Sequence, residues 1–211
     1  MGLRTWLMEI PLVYDLFQNG LERPIFRKWL TEEIICTNDG MRVLDVGCGT
    51  ASIRSLLSNV TYIGIDHNPK YIAKARLIHG ENGDFRNLDV TDAKFRELQK
   101  FDRILLLRVL HHLNDSECTK LMAALGEVLR DNGHLITLDN ALVRGQHPIA
   151  RILAKLDRGR YARTPQQYRS LIETSFVVES EIVRHDLLRV PYTFAAFPAL
   201  AKQSKSSRLL M

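Results

Sequence analysis

The chain has 211 residues, 45% hydrophobic and 25% charged, with a formal net charge of +5, which suits one globular domain with a substantial core and argues against a disordered or fibrous chain. No apolar run approaches the ~20 residues that cross a bilayer, and the apolar start, interrupted by Glu9, Pro11 and Asp15, does not read as a secretory leader. The three cysteines, Cys36, Cys48 and Cys118, have neither zinc nor disulfide spacing, so a reducing, cytoplasmic setting is expected.

Residues 11–18 and 24–36 read as helices, with Pro11 and Pro24 suited to first-turn positions. Phe26, Trp29, Leu30 and Glu33 give the second of them mixed apolar and charged faces. Strands then alternate with helices. The strands fall at 42–46, 61–65, about 84–88, 102–108 and 133–139, and the helices at 51–58, 69–78, about 93–99 and 116–130. This alternation predicts right-handed crossovers and a parallel sheet. Asp131-Asn132-Gly133 reads as the turn that feeds the fifth strand.

Beyond residue 140 the rhythm changes. Ile149, Ile152, Leu153 and Leu156 form a short helical apolar stripe, with Arg151, Lys155 and Arg158 on another face. A helix at 165–174 and strands at 177–184 and 192–196 follow, then a basic tail from Lys202.

The stretch with most chemical content is Val43-Leu-Asp-Val-Gly-Cys-Gly-Thr-Ala51. An apolar strand ends in an acid, and Gly47 and Gly49 follow two apart. Glycine tolerates positive φ and lets backbone approach a ligand closely. Seventeen residues past Gly49 a second apolar run ends in Asp66, placed to hold the hydroxyls of a ribose. A nucleoside cofactor at the first strand-to-helix turn is the natural reading. A dinucleotide fold prefers G-x-G-x-x-G, and the third glycine is absent here.

Asp-Val-Gly-Cys-Gly-Thr at 45–50, Gly-Ile-Asp at 64–66, Leu-Asp-Val at 88–90 and Val-Leu-His-His-Leu at 109–113 fall in order at natural spacings. Together they resemble the class I S-adenosylmethionine-dependent methyltransferases over roughly residues 40–140. The resemblance implies an α/β fold: a doubly wound, Rossmann-like seven-stranded sheet, parallel except for an antiparallel last strand. N-terminal helices and a helical insertion after the fifth strand complete it. One domain over 1–201 is expected, with a helical cap (1–40), a cofactor-binding half (41–140) and a lid and substrate-side half (141–201), before a flexible tail at 202–211.

For S-adenosylmethionine, the expected contacts are Gly47, Cys48 and Gly49 in the turn and Leu107 at the end of the fourth strand. Asp45 is expected on the methionine ammonium, or as a cap within the turn. The helix starting near Thr50 would point N–H groups at the methionine carboxylate. Asp66 takes the ribose, and His67 either packs on the adenine or lies in solvent. Asp89 and Val90 follow the third strand, where the family places an acid on the adenine amino group; Asp84 and Asp92 are competitors.

His111 and His112 stand just past the fourth strand, at the carboxyl edge where such folds bind ligands. Histidine is a usable proton acceptor at neutral pH. In natural-product sugar methyltransferases that this sequence resembles, a histidine of such a pair and an acid at the position of Asp139 are the suspected base and its partner. His111 and Asp139 are therefore the catalytic candidates, with His112 on the substrate side or in a packing role, and His147 or Tyr192, both expected on the substrate side, next in line as the base. Asp139-Asn140 also resembles the metal-holding pair of the magnesium-dependent catechol-type methyltransferases; those need a further aspartate after the fourth strand, where this chain has Leu107-Arg108, so no metal is expected.

Residues 41–140 are charge-balanced, and all the basic excess lies after them, densest from Arg144 to Arg163 with Asp157 the sole acid. This insertion reads either as a solvated basic face or as a cover over an anionic acceptor held by Arg144, His147, Arg158 and Arg160. Its apolar stripe could alternatively let residues 141–165 rest on a membrane. The sequence lacks the Asn-Pro-Pro-Tyr and Pro-Cys motifs of nucleic-acid methylation. The expected reaction is methyl transfer to a small molecule, at a hydroxyl of an anionic, lipid-linked or sugar-linked metabolite. The alternatives are a non-catalytic or RNA-directed protein keeping the fold, and an NAD-dependent oxidoreductase, which the missing third glycine and the His-His-Leu segment oppose.

Overall fold

In the computed structural model of the chain, which describes residues 21–156 and 160–202, the sheet is built from β1 (Arg42–Val46), β2 (Thr61–Asp66), β3 (Asp84–Asn87), β4 (Phe101–Leu107), β5 (Leu129–Asn140), β6 (Phe176–Val178), β7 (Ile182–Arg184) and β8 (Phe194–Ala201). Their order is β3-β2-β1-β4-β5-β8-β6, with β7 also paired to β8. The first five strands are parallel, and β8 runs antiparallel to β5, β6 and β7. The helices are α1 (Pro24–Lys28), α2 (Pro69–His79), α3 (Ala93–Arg96), α4 (Asp115–Val128), α5 (Pro148–Leu156) and α6 (Pro165–Ile172).

The expected seven lanes are all present. The outer lane, read from sequence as one strand at 177–184, is split into β6 and β7. The break lies opposite Phe197 and Pro198 of β8, and proline has no N–H to give a ladder.

Apolar runs such as Val43-Leu44 and Ile104-Leu105-Leu106 are fully buried, because a parallel sheet is covered on both faces. One layer gathers around Leu44, Phe101, Leu106, Tyr168 and Phe197. The other gathers around Phe26, Trp29, Leu105, Leu138 and Phe194. Leu138 and Asp139 therefore address opposite faces. Register aligns Val46 with Ile65, Asp66 with Asn87, and Leu107 with Leu138, which brings the carboxyl ends of the central strands to one edge.

Capping explains where the helices start. Asn68 caps α2 ahead of Pro69. Asn114 with Glu117, and Thr164 with Gln167, form reciprocal capping boxes on α4 and α6.

Several boundaries differ from the sequence reading: α3 stops at Arg96 instead of 99, β8 covers Phe194–Ala201 instead of 192–196, and three further differences have a local cause. The helix expected at 51–58 is only a 3₁₀ turn, Ser52–Leu56, because Ala51 enters it at φ 59°. The helix expected at 24–36 is α1 continued by a π-helical stretch, Trp29–Ile35, and stopped by left-handed Cys36. The turn at 131–133 lies within β5, where the register with β4 shifts between Phe101 and Arg103. There a Cβ on Gly133 would stand 2.7 Å from Leu129 Cδ1 and 2.9 Å from the Phe101 carbonyl. The helix read at 11–18 and all but the first residue of the tail lie outside the described residues.

Candidate active site

The turn after β1 alternates left-handed positions: Gly47 at φ 71°, Gly49 at 56° and Ala51 at 59°. Ile65 O accepts the N–H groups of Gly47 and Cys48 at 2.8 and 3.0 Å, fastening the turn to β2. The two glycines are required for different reasons. A Cβ on Gly47 would meet Val109 Cγ2 at 2.8 Å, whereas one on Gly49 meets nothing within 4 Å. Gly47 serves packing as well as φ; Gly49 leaves an open cradle.

Asp66 is buried and held by two backbone donors, Gly49 N–H to Oδ2 at 3.0 Å and Asn68 N–H to Oδ1 at 2.7 Å. Asp45, also buried, receives the Tyr62 hydroxyl at 2.5 Å. Burial pushes its carboxyl up to about 7, against the Tyr62 bond and with help from the Asp66 charge. Burial and the same two carboxylates push the Cys48 thiol up, so Cys48 stays protonated and is no nucleophile.

A cleft at this edge is lined by Asp45, Gly47, Cys48, Gly49, Leu107 and Leu138. It collects five of the nine residues expected around a cofactor. Asp66, His67, Asp89 and Val90 stand apart from its lining, at and beyond the ends of β2 and β3. The His67 side chain is solvent-exposed, 3.6 Å from Asp66. Asp89 is exposed and accepts both the hydroxyl and the N–H of Thr91, at 2.7 and 2.8 Å; these bonds hold its carboxyl below the usual range.

On the other face of β5, His111 Nδ1 lies 2.7 Å from Asp139 Oδ1, which also accepts the His111 backbone N–H at 3.1 Å. The structure thus brings together the two residues named from sequence. Burial raises the Asp139 carboxyl above the ordinary range, opposed by its bonds to His111 and by the Arg163 charge. With Asp139 ionised, Nδ1 donates and Nε2 keeps the basic lone pair. His111 is only 3% exposed, whereas His112 is open to solvent with its ring 4.1 Å away.

Arg163, counted from sequence among the surface cations, is instead 6% exposed. Its guanidinium donates to the carbonyls of Leu110 and Leu113 at 2.9 and 2.7 Å and to Asp115 Oδ1 at 2.6 Å. Tyr161 N–H meets His111 O at 3.0 Å. The end of the insertion therefore grips the 3₁₀ turn Leu110–His112 that carries the histidines. Periodicity gave no signal of this.

The other substrate-side candidates scatter. Arg144, His147 and Arg160 are exposed and outside the cleft lining. His147 Nδ1 accepts Ile149 N–H at 3.2 Å, a capping role at the start of α5. Tyr192 OH accepts from Asn140 Nδ2 at 3.1 Å, on the Phe194 side of the sheet. Arg158 lies outside the described residues.

Three charged residues of the cleft were missed: Glu22, Arg27 and Arg108. Glu22 joins both arginines, at 3.3 Å to Arg27 Nε and 3.1 Å to an Arg108 terminal nitrogen. Arg108 holds φ 64°, and its guanidinium sits 5.3 and 5.5 Å from the Phe26 and Phe194 rings. A long cation directly after an apolar strand was the available signal. Strained non-glycine backbone concentrates at ligand-binding edges.

Residues 43–133 match a family model described as a methyltransferase domain. A ubiquinone biosynthesis O-methyltransferase from Dechloromonas aromatica is 26% identical over 162 residues, 66% of this chain and 69% of that protein. The chain spans about half the length, 53%, of the Xanthomonas axonopodis pv. citri protein of the same description, at 34% identity over 55% of this chain. A TehB-like S-adenosylmethionine-dependent methyltransferase from Corynebacterium glutamicum superposes with a TM-score of 0.65 at 17% identity, covering 90% of this chain and 94% of that one.

Proposed function

We propose that this chain, which belongs to the class I S-adenosylmethionine-dependent methyltransferases, moves the methyl group of that cofactor to a hydroxyl of a small-molecule acceptor, with His111 as the base. The cleft fits the cofactor on two observations. The cradle at Gly49 is one a Cβ would fill, and a buried carboxyl at Asp45 waits where an ammonium would be held. Asp66 would hold the ribose hydroxyls, and Asp89 with Val90 would border the adenine. The 3₁₀ turn after Ala51 is too short to attract a carboxylate strongly, so Arg27 takes over that charge in the cleft.

When bound, S-adenosylmethionine supplies an already activated methyl group. What remains for the protein is alignment and removal of the acceptor's proton. The observation that carries the hydroxyl reading is the His111–Asp139 pair. Asp139 fixes the imidazole with Nδ1 donating, Nε2 takes the hydroxyl proton, and the buried carboxylate stabilises the imidazolium. That these two relatives are O-methyltransferases agrees with an oxygen acceptor.

The near-complete burial of His111 favours a second reading, in which the pair only braces its turn and the acceptor ionises unaided. Incubation of the protein with methyl-labelled cofactor and fractionated host metabolites tests the function. Label in an alkali-stable ether supports hydroxyl transfer, and label on nitrogen or carbon contradicts it.

A further inference from the structure

Helix α5 turns its small residues to the protein and its large ones outward. Ala150 and Ala154 are each 2% exposed, while Ile149 and Ile152 are 49% and 55% exposed. Positions three and four apart share a face, so Ile149, Ile152 and Leu153 form one stripe, rotated away from the alanine face. A helix docked only to its own core shows the reverse. Arg151 and Lys155 are exposed along the flank of the stripe, and Arg144 before the helix and Arg160 after it are exposed as well. No acid occurs from 141 to 156.

We propose that α5 is a docking surface for an anionic phospholipid bilayer, with Ile149 and Ile152 entering the headgroup boundary and Arg144, Arg151, Lys155 and Arg160 meeting lipid phosphates. An outward apolar stripe with basic flanks is the pattern of an interfacial helix. Charge selects the bilayer over a second copy of the chain, because a two-fold contact through this patch would set the same cations against themselves. The helix follows β5, whose end carries Asp139, so docking would set the site's edge beside the lipid surface.

The test is co-sedimentation of the full chain with vesicles of phosphatidylcholine alone or mixed with phosphatidylglycerol. Wild type binds the mixed vesicles, and added salt releases it. Each basic side chain near an anionic surface is worth about fivefold in partition, so Arg151→Glu with Lys155→Glu weakens binding by more than ~10-fold. Ile149→Asn with Ile152→Asn also weakens it, with the thermal midpoint unchanged. Binding that is absent, or equal in the variants, overturns the proposal. So does a concentration-dependent dimer that the isoleucine variant abolishes. A lowered midpoint in that variant without vesicles also overturns it, assigning the face to residues 1–20 of the chain itself.

Discussion

The backbone N–H of Gly49 donates to Asp66 Oδ2 at 3.0 Å, across 17 residues of sequence. The glycine turn and the acid at the end of β2 are thereby one unit, and the carboxylate is aimed before any ligand arrives. Asp66→Ala removes that anchor and the proposed ribose partner together. Cofactor affinity should fall by on the order of 1–3 kcal/mol, read by calorimetry, and Asp66→Asn, which keeps one acceptor oxygen, should lose less. Wild-type affinity in a folded Asp66→Ala would remove Asp66 from the site.

Alanine at the two turn glycines should separate folding from binding. Gly47→Ala meets Val109 at 2.8 Å and so lowers stability beyond the ~1 kcal/mol that left-handed φ alone costs. Gly49→Ala meets no protein atom within 4 Å; its stability loss stays near that figure while cofactor affinity falls. Denaturant unfolding and calorimetry on both variants check this. Equal stability losses with unchanged binding would mean that the open space at Gly49 holds no ligand.

Asp45 predicts two opposite pH trends. Its folded carboxyl titrates at about 7, above the ~3.9 of an unfolded chain. Its contribution to stability is therefore complete below ~4 and is lost as pH rises through about 7. An ammonium prefers the ionised form, so cofactor affinity rises over the same window and binding releases protons near neutrality. Asp45→Asn should flatten both curves. Parallel pH dependence in wild type and variant would assign the titration to another group.

Arg163 should behave as a brace of the histidine turn. Arg163→Met takes the guanidinium from the Leu110 and Leu113 carbonyls and from Asp115, leaving those carbonyls the Leu113 N–H and the Cys118 thiol. It is expected to cost roughly 1–3 kcal/mol in denaturant unfolding. Arg163→Lys keeps the charge but not the fork, and should fall between the two. A loss below ~0.5 kcal/mol would show that the turn stands without it.

The parts of this molecule legible from sequence are those written in local pattern. Buried parallel strands read as apolar runs, and Pro24 marks a helix start. Gly47, Gly49 and Asp66 sit at strand ends, where alternation of strand and helix alone fixes their edge. Asp139 and His111 could be paired from sequence because one lies at the end of β5 and the other just past β4, at the same edge of the sheet, where the family resemblance places a base and its partner. What escaped depends on distant contacts. Arg163 looked like one more surface cation, since the carbonyls it serves are 50 and 53 residues away. Glu22 joins the cleft through a backbone bridge to Leu188. The short 3₁₀ turn after Ala51 reflects backbone angles that residue types there did not announce.

The base assignment is tested most directly by His111→Asn, whose amide can still donate to Asp139 but cannot accept a proton. Transfer of labelled methyl from S-adenosylmethionine at saturating acceptor and neutral pH should fall ~10²–10⁴-fold, with cofactor affinity and thermal midpoint close to wild type. Near-normal transfer by this folded variant would contradict the account and leave the His111–Asp139 pair as a brace for its turn.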